Sequence, residues 1–346
     1  MARLDRMTDD PFAAVIASLK RLGLIPAGVE PELSPLTGGV ASDIWLVQAG
    51  EQQFVVKRAL EKLRVAADWR APVSRNASEV AWFRRAGLAV PGAVPAILAH
   101  DPAEGYFAMD YLPPATHPVW KRELQAGRAD PGFAAEVGTS LRKFHESTAG
   151  KSGIAQDFND DALFKAIRLE PYLEFTAARH KEISGALLGL VERSLRNRRA
   201  LVHGDVSPKN ILVGPNGPVF LDAECAWFGD PAFDVAFCLN HLLLKCLWTP
   251  SAASRFLRSF DRLRDAYFSE IGWEPAAELE ARVSALLPAL LLARIDGKSP
   301  VEYVEDESIK RGVRGFAIPL IEAAPGDLPS LRSRWAEALP RILEKT

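Results

Sequence analysis

The segment NILVGPNGPVFLDAE, residues 210–224, constrains the chain more than any other stretch. Two short apolar runs flank Gly-Pro-Asn-Gly, which is turn chemistry, so the segment is expected to close as a β-hairpin. An antiparallel hairpin returns its far end to its start. Asn210 and Asp222 therefore meet at one edge, with Glu224 two residues further on. Asp205, within LVHGDVSPKN, lies on the loop feeding that edge, five positions before Asn210. Two carboxylates and an amide oxygen then converge without any long-range assumption. Hard oxygen donors of this kind suit Mg²⁺, which binds through one or two carboxylates plus substrate phosphates. Asp222, with Glu224, is the expected anchor and Asn210 the other side. Asp205 is then left to accept a proton from, or to orient, an attacking hydroxyl. A loop whose Asp and Asn serve only turn amides is the alternative.

Around this hairpin the hydrophobic period changes along the chain. DDPFAAVIASLKRLGLIP opens with Asp beside Pro11 and stops at Gly23, a helix signature. PELSPL, SDIWLVQ and QFVVKRAL read as strands, the last two joined by a tight turn at Gly50. The helical pattern ASEVAWFRRAG follows, then the strands VPAILAH and GYFAMDYL. LPPATHPVW is a proline-rich break, and beyond it the pattern is mainly helical. The expected class is α+β: a small antiparallel β-sheet lobe at 1–112 and a larger, mainly helical lobe at 113–346. A cleft between the lobes is the expected ligand site.

The bulk numbers exclude several functions. With 346 residues, 48% hydrophobic and 25% charged, the chain is globular. A net charge of -2 lacks the basic excess of a nucleic-acid-binding domain. SALLPALLLA, at 284–293, is too short to span a bilayer and contains a proline. No apolar stretch follows the charged start MARLDRMTDD, so a soluble, cytoplasmic protein is expected. Cys225, Cys238 and Cys246 have no metal-ligand spacing and read as buried thiols.

HGDVSPKN, followed by FLDAE, resembles the catalytic loop and metal segment of the aminoglycoside phosphotransferase and choline kinase-like family. These are small-molecule kinases with the protein-kinase fold, and the resemblance extends over roughly residues 30 to 300. It implies a two-lobed protein-kinase-like fold, ATP and Mg²⁺ as cofactors, Asp205 as the catalytic aspartate, and Asn210 and Asp222 as Mg²⁺ ligands. Protein kinases usually carry Arg where Gly204 stands here, and DAECAWFGDPAFD leaves no room for a long activation segment. A kinase also requires a lysine on the third strand, held by a helix carboxylate. Lys57 in FVVKRAL and Glu79 in ASEVAWF fill these positions. Gly38 and Gly39, in LTGGVASD, are expected to bring backbone amides to the phosphates. Met109, Asp110 and Tyr111 would offer backbone groups to adenine.

The stretch between Lys57 and Glu79 is longer than a strand-to-helix link requires. It resembles the insert of methylthioribose kinases, whose tryptophan matches Trp69, and those enzymes share the Asp-x-Glu of Asp222 and Glu224. Those enzymes tend to lack the Asn of the catalytic loop, whereas Asn210 is present here. Arg294, Asp296 and Lys298 form a second polar set, expected to bind substrate or to cap a helix end. The expected function is transfer of the γ-phosphoryl group of ATP to a small-molecule hydroxyl, with a methylthioribose-like sugar as one acceptor. Aminoglycoside, amino-alcohol and homoserine kinases remain alternatives, as does a non-catalytic nucleotide-binding module. The expected partner is the small-molecule acceptor, not nucleic acid or membrane, and a homodimer stays open.

Overall fold

The structure, a computed structural model, describes residues 11–36, 42–62 and 72–344. It divides into two compact units, one holding residues up to Arg84 with Pro95–Leu112, the other Arg85–Val94 with Pro113 onward.

The first unit is built on five antiparallel strands: β1 (Glu32–Pro35), β2 (Ser42–Ala49), β3 (Gln52–Ala59), β4 (Ile97–Asp101) and β5 (Tyr106–Asp110). Their order is β1-β2-β3-β5-β4. Ala49 pairs with Gln52, leaving a two-residue turn in which Gly50 takes φ 64°. A positive φ suits the twist of such a hairpin and costs glycine nothing. Side chains alternate across a strand. Trp45, Val47, Phe54 and Val56 therefore share one face, which packs on Val15 and Leu19 of helix α1 (Pro11–Arg21). The same alternation turns Lys57 to the opposite face, toward helix α2 (Arg75–Ala89).

The second unit begins with α3 (Trp120–Gln125), α4 (Pro131–Thr148), α5 (Ser152–Asp157) and α6 (Asp161–Phe164). A π-helical turn follows at Lys165–Glu174, then α7 (Phe175–Arg179) and α8 (Ser184–Arg196). Two small antiparallel pairs come next. β6 (Ala200–Val202) pairs with β9 (Trp227–Gly229), and β7 (Ile211–Gly214) with β8 (Gly217–Phe220). The chain ends in α9 (Pro231–Trp248), α10 (Ala253–Phe268), α11 (Ala276–Asp296), α12 (Glu307–Glu322) and α13 (Leu328–Leu343). Every residue of α9 except Trp248 is buried, as an all-round apolar helix demands. Its N-cap is Asp230, whose side chain accepts from the Ala232 amide at 3.0 Å. The π-turn and the β6–β9 pair lie outside what the sequence pattern indicated. Proline lacks the donor for an i−4 carbonyl and crowds it, and Pro171 sits inside the widened turn.

Candidate active site

The hairpin forms as expected. Ile211 pairs with Phe220, Gly214 with Gly217, and the Leu221 amide donates to the Asn210 carbonyl at 2.8 Å. The loop between β6 and this hairpin is held from below by Asp234 in the first turn of α9. Its carboxylate accepts the amides of His203 (2.7 Å) and Gly204 (2.8 Å). It also meets His145 Nε2 at 3.2 Å, while His145 Nδ1 meets the Tyr267 hydroxyl at 2.8 Å. His203 Nδ1 accepts the Asp205 amide at 3.1 Å, so its Nε2 carries the proton donated to the Leu221 carbonyl at 3.0 Å. Burial lowers the His203 pKa, in keeping with that neutral ring. One imidazole thereby fixes Asp205 against the end of the hairpin that leads to Asp222.

Gly204 takes φ 80°, and a Cβ there would sit 2.7 Å from the Cys225 carbonyl oxygen. Both the conformation and the space exclude a larger residue. Gly204→Ala is expected to destabilise the fold by about 1–3 kcal/mol, the usual cost of an enforced backbone outlier. A melting temperature equal to wild type would refute this account of the loop.

Asp205 is buried, and Arg168 Nη2 approaches its Oδ2 at 2.9 Å. Lys209 Nζ lies 3.3 Å from the same oxygen. Burial opposes the charge, but Lys209 and Arg168 outweigh it and hold the carboxyl well below the usual carboxylate range. Arg168 also donates through Nε to the Gly204 carbonyl. A guanidinium from the π-turn thus stands beside the aspartate, where residue 204 leaves no room for one. Asn210 Nδ2 donates to the Asp205 carbonyl at 3.1 Å, which turns the carboxamide oxygen the other way. Asp222 is the one non-glycine with positive φ among the described residues, at 66°. Such outliers persist only where their surroundings enforce them. Its charge bears on Lys209 and His203, and that of buried Glu224 on Arg168.

These residues fit Mg²⁺ by donor chemistry. No group of three or more His, Cys, Asp or Glu side chains among the described residues forms an all-protein metal cage. Mg²⁺ needs none, since it takes one or two carboxylates with water and phosphate oxygens. Asp222, Glu224 and Asn210 offer that set.

In the first unit, Lys57 and Glu79 form a buried ion pair at 2.8 Å, with side chains 3% and 1% exposed. The carboxamide of Asn76 donates to the Lys57 carbonyl at 3.4 Å. Met109 and Asp110 end β5, and the Asp110 amide already donates to the Ala96 carbonyl at 3.0 Å. That removes one of the backbone donors expected for adenine.

Gly38, Gly39 and Trp69 lie outside the described residues. Arg294, Asp296 and Lys298 do not form one cluster. Asp296 binds Arg314 (2.7 and 2.8 Å) and His180 (2.9 Å). Arg294 meets the Ser299 hydroxyl at 3.0 Å, and Lys298 meets Glu170 at 3.0 Å. Adjacent on the sequence, they splay to three different neighbours. The sequence reading missed Arg168 and Lys209. Lys209 had a signal, since it follows Asp205 by four residues inside the motif. Arg168 had none.

Comparison with known proteins gives the class. Residues 32–279 match the phosphotransferase enzyme family, and the chain belongs to it. It is similar to methylthioribose kinase from Escherichia coli O45:K1 (strain S88 / ExPEC), 25% identical over 303 residues covering 78% of this chain and 66% of that protein. Methylthioribose kinase 2 of Oryza sativa subsp. japonica is 23% identical over 265 residues, 67% of this chain and 62% of that one. The chain thus spans less than two thirds of these relatives' length. Among solved structures, choline kinase from Cryptosporidium parvum Iowa II aligns with TM-score 0.50 at 12% identity, covering 95% of this chain and 94% of that one. That likeness shows the fold, which is α+β and kinase-like.

Proposed function

We propose that this chain transfers the γ-phosphoryl group of ATP to a hydroxyl of a small molecule. The observation that carries the reading is Asp205: a buried carboxylate kept ionised by Arg168 and Lys209, on a loop that His203 and Asp234 hold rigid. Such a group positions an acceptor hydroxyl and takes up its proton as the new bond forms. Lys57, oriented by Glu79, supplies a fixed positive charge for the nucleotide phosphates. Asp222, Glu224 and Asn210 would hold Mg²⁺, which when bound neutralises phosphate charge and polarises the transferring group. Asp205 needs no metal to stay charged, because the two cations beside it already serve that purpose.

The similarity to methylthioribose kinases is the reason for including methylthioribose among the acceptors to test. A screen of ATP consumption against methylthioribose, other sugars, amino alcohols, aminoglycosides and hydroxy acids tests the reading. Binding of MgATP without turnover of any acceptor would favour a nucleotide-binding module instead. Asp222→Ala is expected to reduce Mg²⁺-dependent turnover to background. Wild-type turnover by that variant would remove Asp222 from the metal set.

A further inference from the structure

Helix α9 carries His241, Lys245 and Trp248 at i, i+4 and i+7, a spacing that puts them on one face. Lys245 is 1% exposed, and among the described residues no carboxylate forms an ion pair with its ammonium. Its neighbours are aromatic, with the Trp248 and Tyr303 ring centroids at 4.1 and 4.2 Å. Those rings stack on each other at 4.3 Å, so they cannot both turn a face to the cation. The nearby acid, Glu302, is taken by Lys121 at 2.5 Å. An unpaired buried charge is costly, and a chain that keeps one needs a compensating group.

The groups around Lys245 repeat the pattern. His241 is buried against Phe237, and its ring nitrogens find no hydrogen-bond partner among the described residues. The Tyr303 hydroxyl and Arg294 Nε are buried and likewise unpartnered. The tyrosine and arginine groups are donors, and His241 can be one. Burial, then the charges of Arg294, Lys245, Lys209 and Lys121, push the His241 pKa well down. Against them stands Glu302. The rim, formed by Lys121, Trp248 and Tyr303, is half-buried, so the cluster reaches the surface. Arg294 Nη1 meets the hydroxyl of Tyr172 at 3.4 Å, on the π-turn that also carries Arg168, and Arg168 meets Asp205 at 2.9 Å. The donor-rich cluster and the reacting carboxylate thus border the same turn.

We propose that the phosphoryl acceptor carries an anionic group, a carboxylate or a phosphate ester, and that Lys245 with His241 and Tyr303 binds that group. The proposal rests on the phosphotransfer reading and names the substrate class for it. An anion supplies the acceptors that these donors lack. Polycationic antibiotics and amino alcohols meet repulsion instead. Burial, with Lys121 and Arg294 adding like charge and Glu302 opposing, lowers the Lys245 pKa to about 7. A bound anion favours the ammonium and raises that value, so binding above neutrality takes up a proton, and affinity falls as pH rises from 6 to 9.

Calorimetric titration of the full chain tests this with two sets, each matched in carbon skeleton and varied in charge. One is glycerate, glycerol phosphate, glycerol and 3-aminopropane-1,2-diol. The other is gluconate, glucose 6-phosphate, glucose and glucosamine. Anionic members are expected to bind at least tenfold more tightly than their neutral and cationic partners, and the stronger of acid and phosphate identifies the anion. Lys245→Met is expected to abolish that preference and to raise Tm by removing an unpaired buried charge. Lys245→Arg retains most of the preference, and Lys245→Gln serves if the Met variant does not fold. Equal binding across a set, absence of binding by every anionic member, or a preference that survives in Lys245→Met overturns the proposal. MgATP affinity, expected unchanged in Lys245→Met, reports on the phosphotransfer reading separately: wild type that fails to bind MgATP sinks that reading whatever the acceptors do.

Discussion

Asp205→Asn is expected to lower kcat by about 10²–10⁴, the range for removing a positioned acid–base group, with MgATP affinity unchanged. The substitution preserves shape, and an amide still offers an oxygen toward Arg168 and Lys209. The loop should therefore keep its place, since its anchors are the His203 and Gly204 amides on Asp234. What disappears is the negative charge to which the proposed phosphotransfer assigns the acceptor hydroxyl and its proton. The pH profile gives a second check. The folded pKa lies below the ordinary carboxylate value, so the stability this group contributes is present above about pH 4 and is lost as pH falls through the folded pKa. Asp205 is then ionised throughout an assay between pH 5 and 9 and produces no acidic limb in kcat. A limb near pH 6–7 that vanishes in Asp205→Asn would show a titrating base and contradict the electrostatics described above. Undiminished kcat in the variant would remove Asp205 from the chemistry altogether.

The parts of this site that sequence reveals are those fixed by short-range periodicity. A strand alternates, so Val56 in the core places Lys57 on the opposite face, and the helix that follows brings Glu79 to it. A four-residue turn closes β7 on β8, so Asn210 and the segment leading to Asp222 face each other with no knowledge of the rest of the chain. Arg168 was hidden for the opposite reason. It acts 37 residues from Asp205 along the chain and projects from a π-turn that no apolar period encodes. Lys245 was hidden by its neighbours, because FCLNHLLLKCLW reads as a buried stripe and a lysine within it reads as an exception. The set at 294–298 misled because helix ends fan out. Arg294, Asp296 and Lys298 are close in sequence, yet each meets a different element. Asp234 anchors the loop from the first turn of α9, while Asp230 takes the helix cap four residues earlier.

Lys57→Met is expected to cost both stability and activity, and a second substitution separates the two. The change removes a 2.8 Å ion pair whose acid is 1% exposed. Breaking one side of such a pair costs about 3–5 kcal/mol, because the remaining charge stays buried without its counterion. Replacing both partners with apolar residues of similar size is often neutral or better. Lys57→Met with Glu79→Leu should therefore recover most of the melting temperature lost by Lys57→Met alone. Activity should not return. The double variant still lacks the charge that the proposed function assigns to the nucleotide phosphates, and loss of one preorganised charge-stabilising group costs about 10²–10³ in kcat. Denaturant midpoints and MgATP-dependent turnover measured on the wild type, the single and the double variant settle the point. A double variant that regains both stability and turnover would reduce Lys57 to a structural lysine. One that regains stability but stays inactive ties the pair to phosphate binding, because repaired packing cannot replace a missing charge.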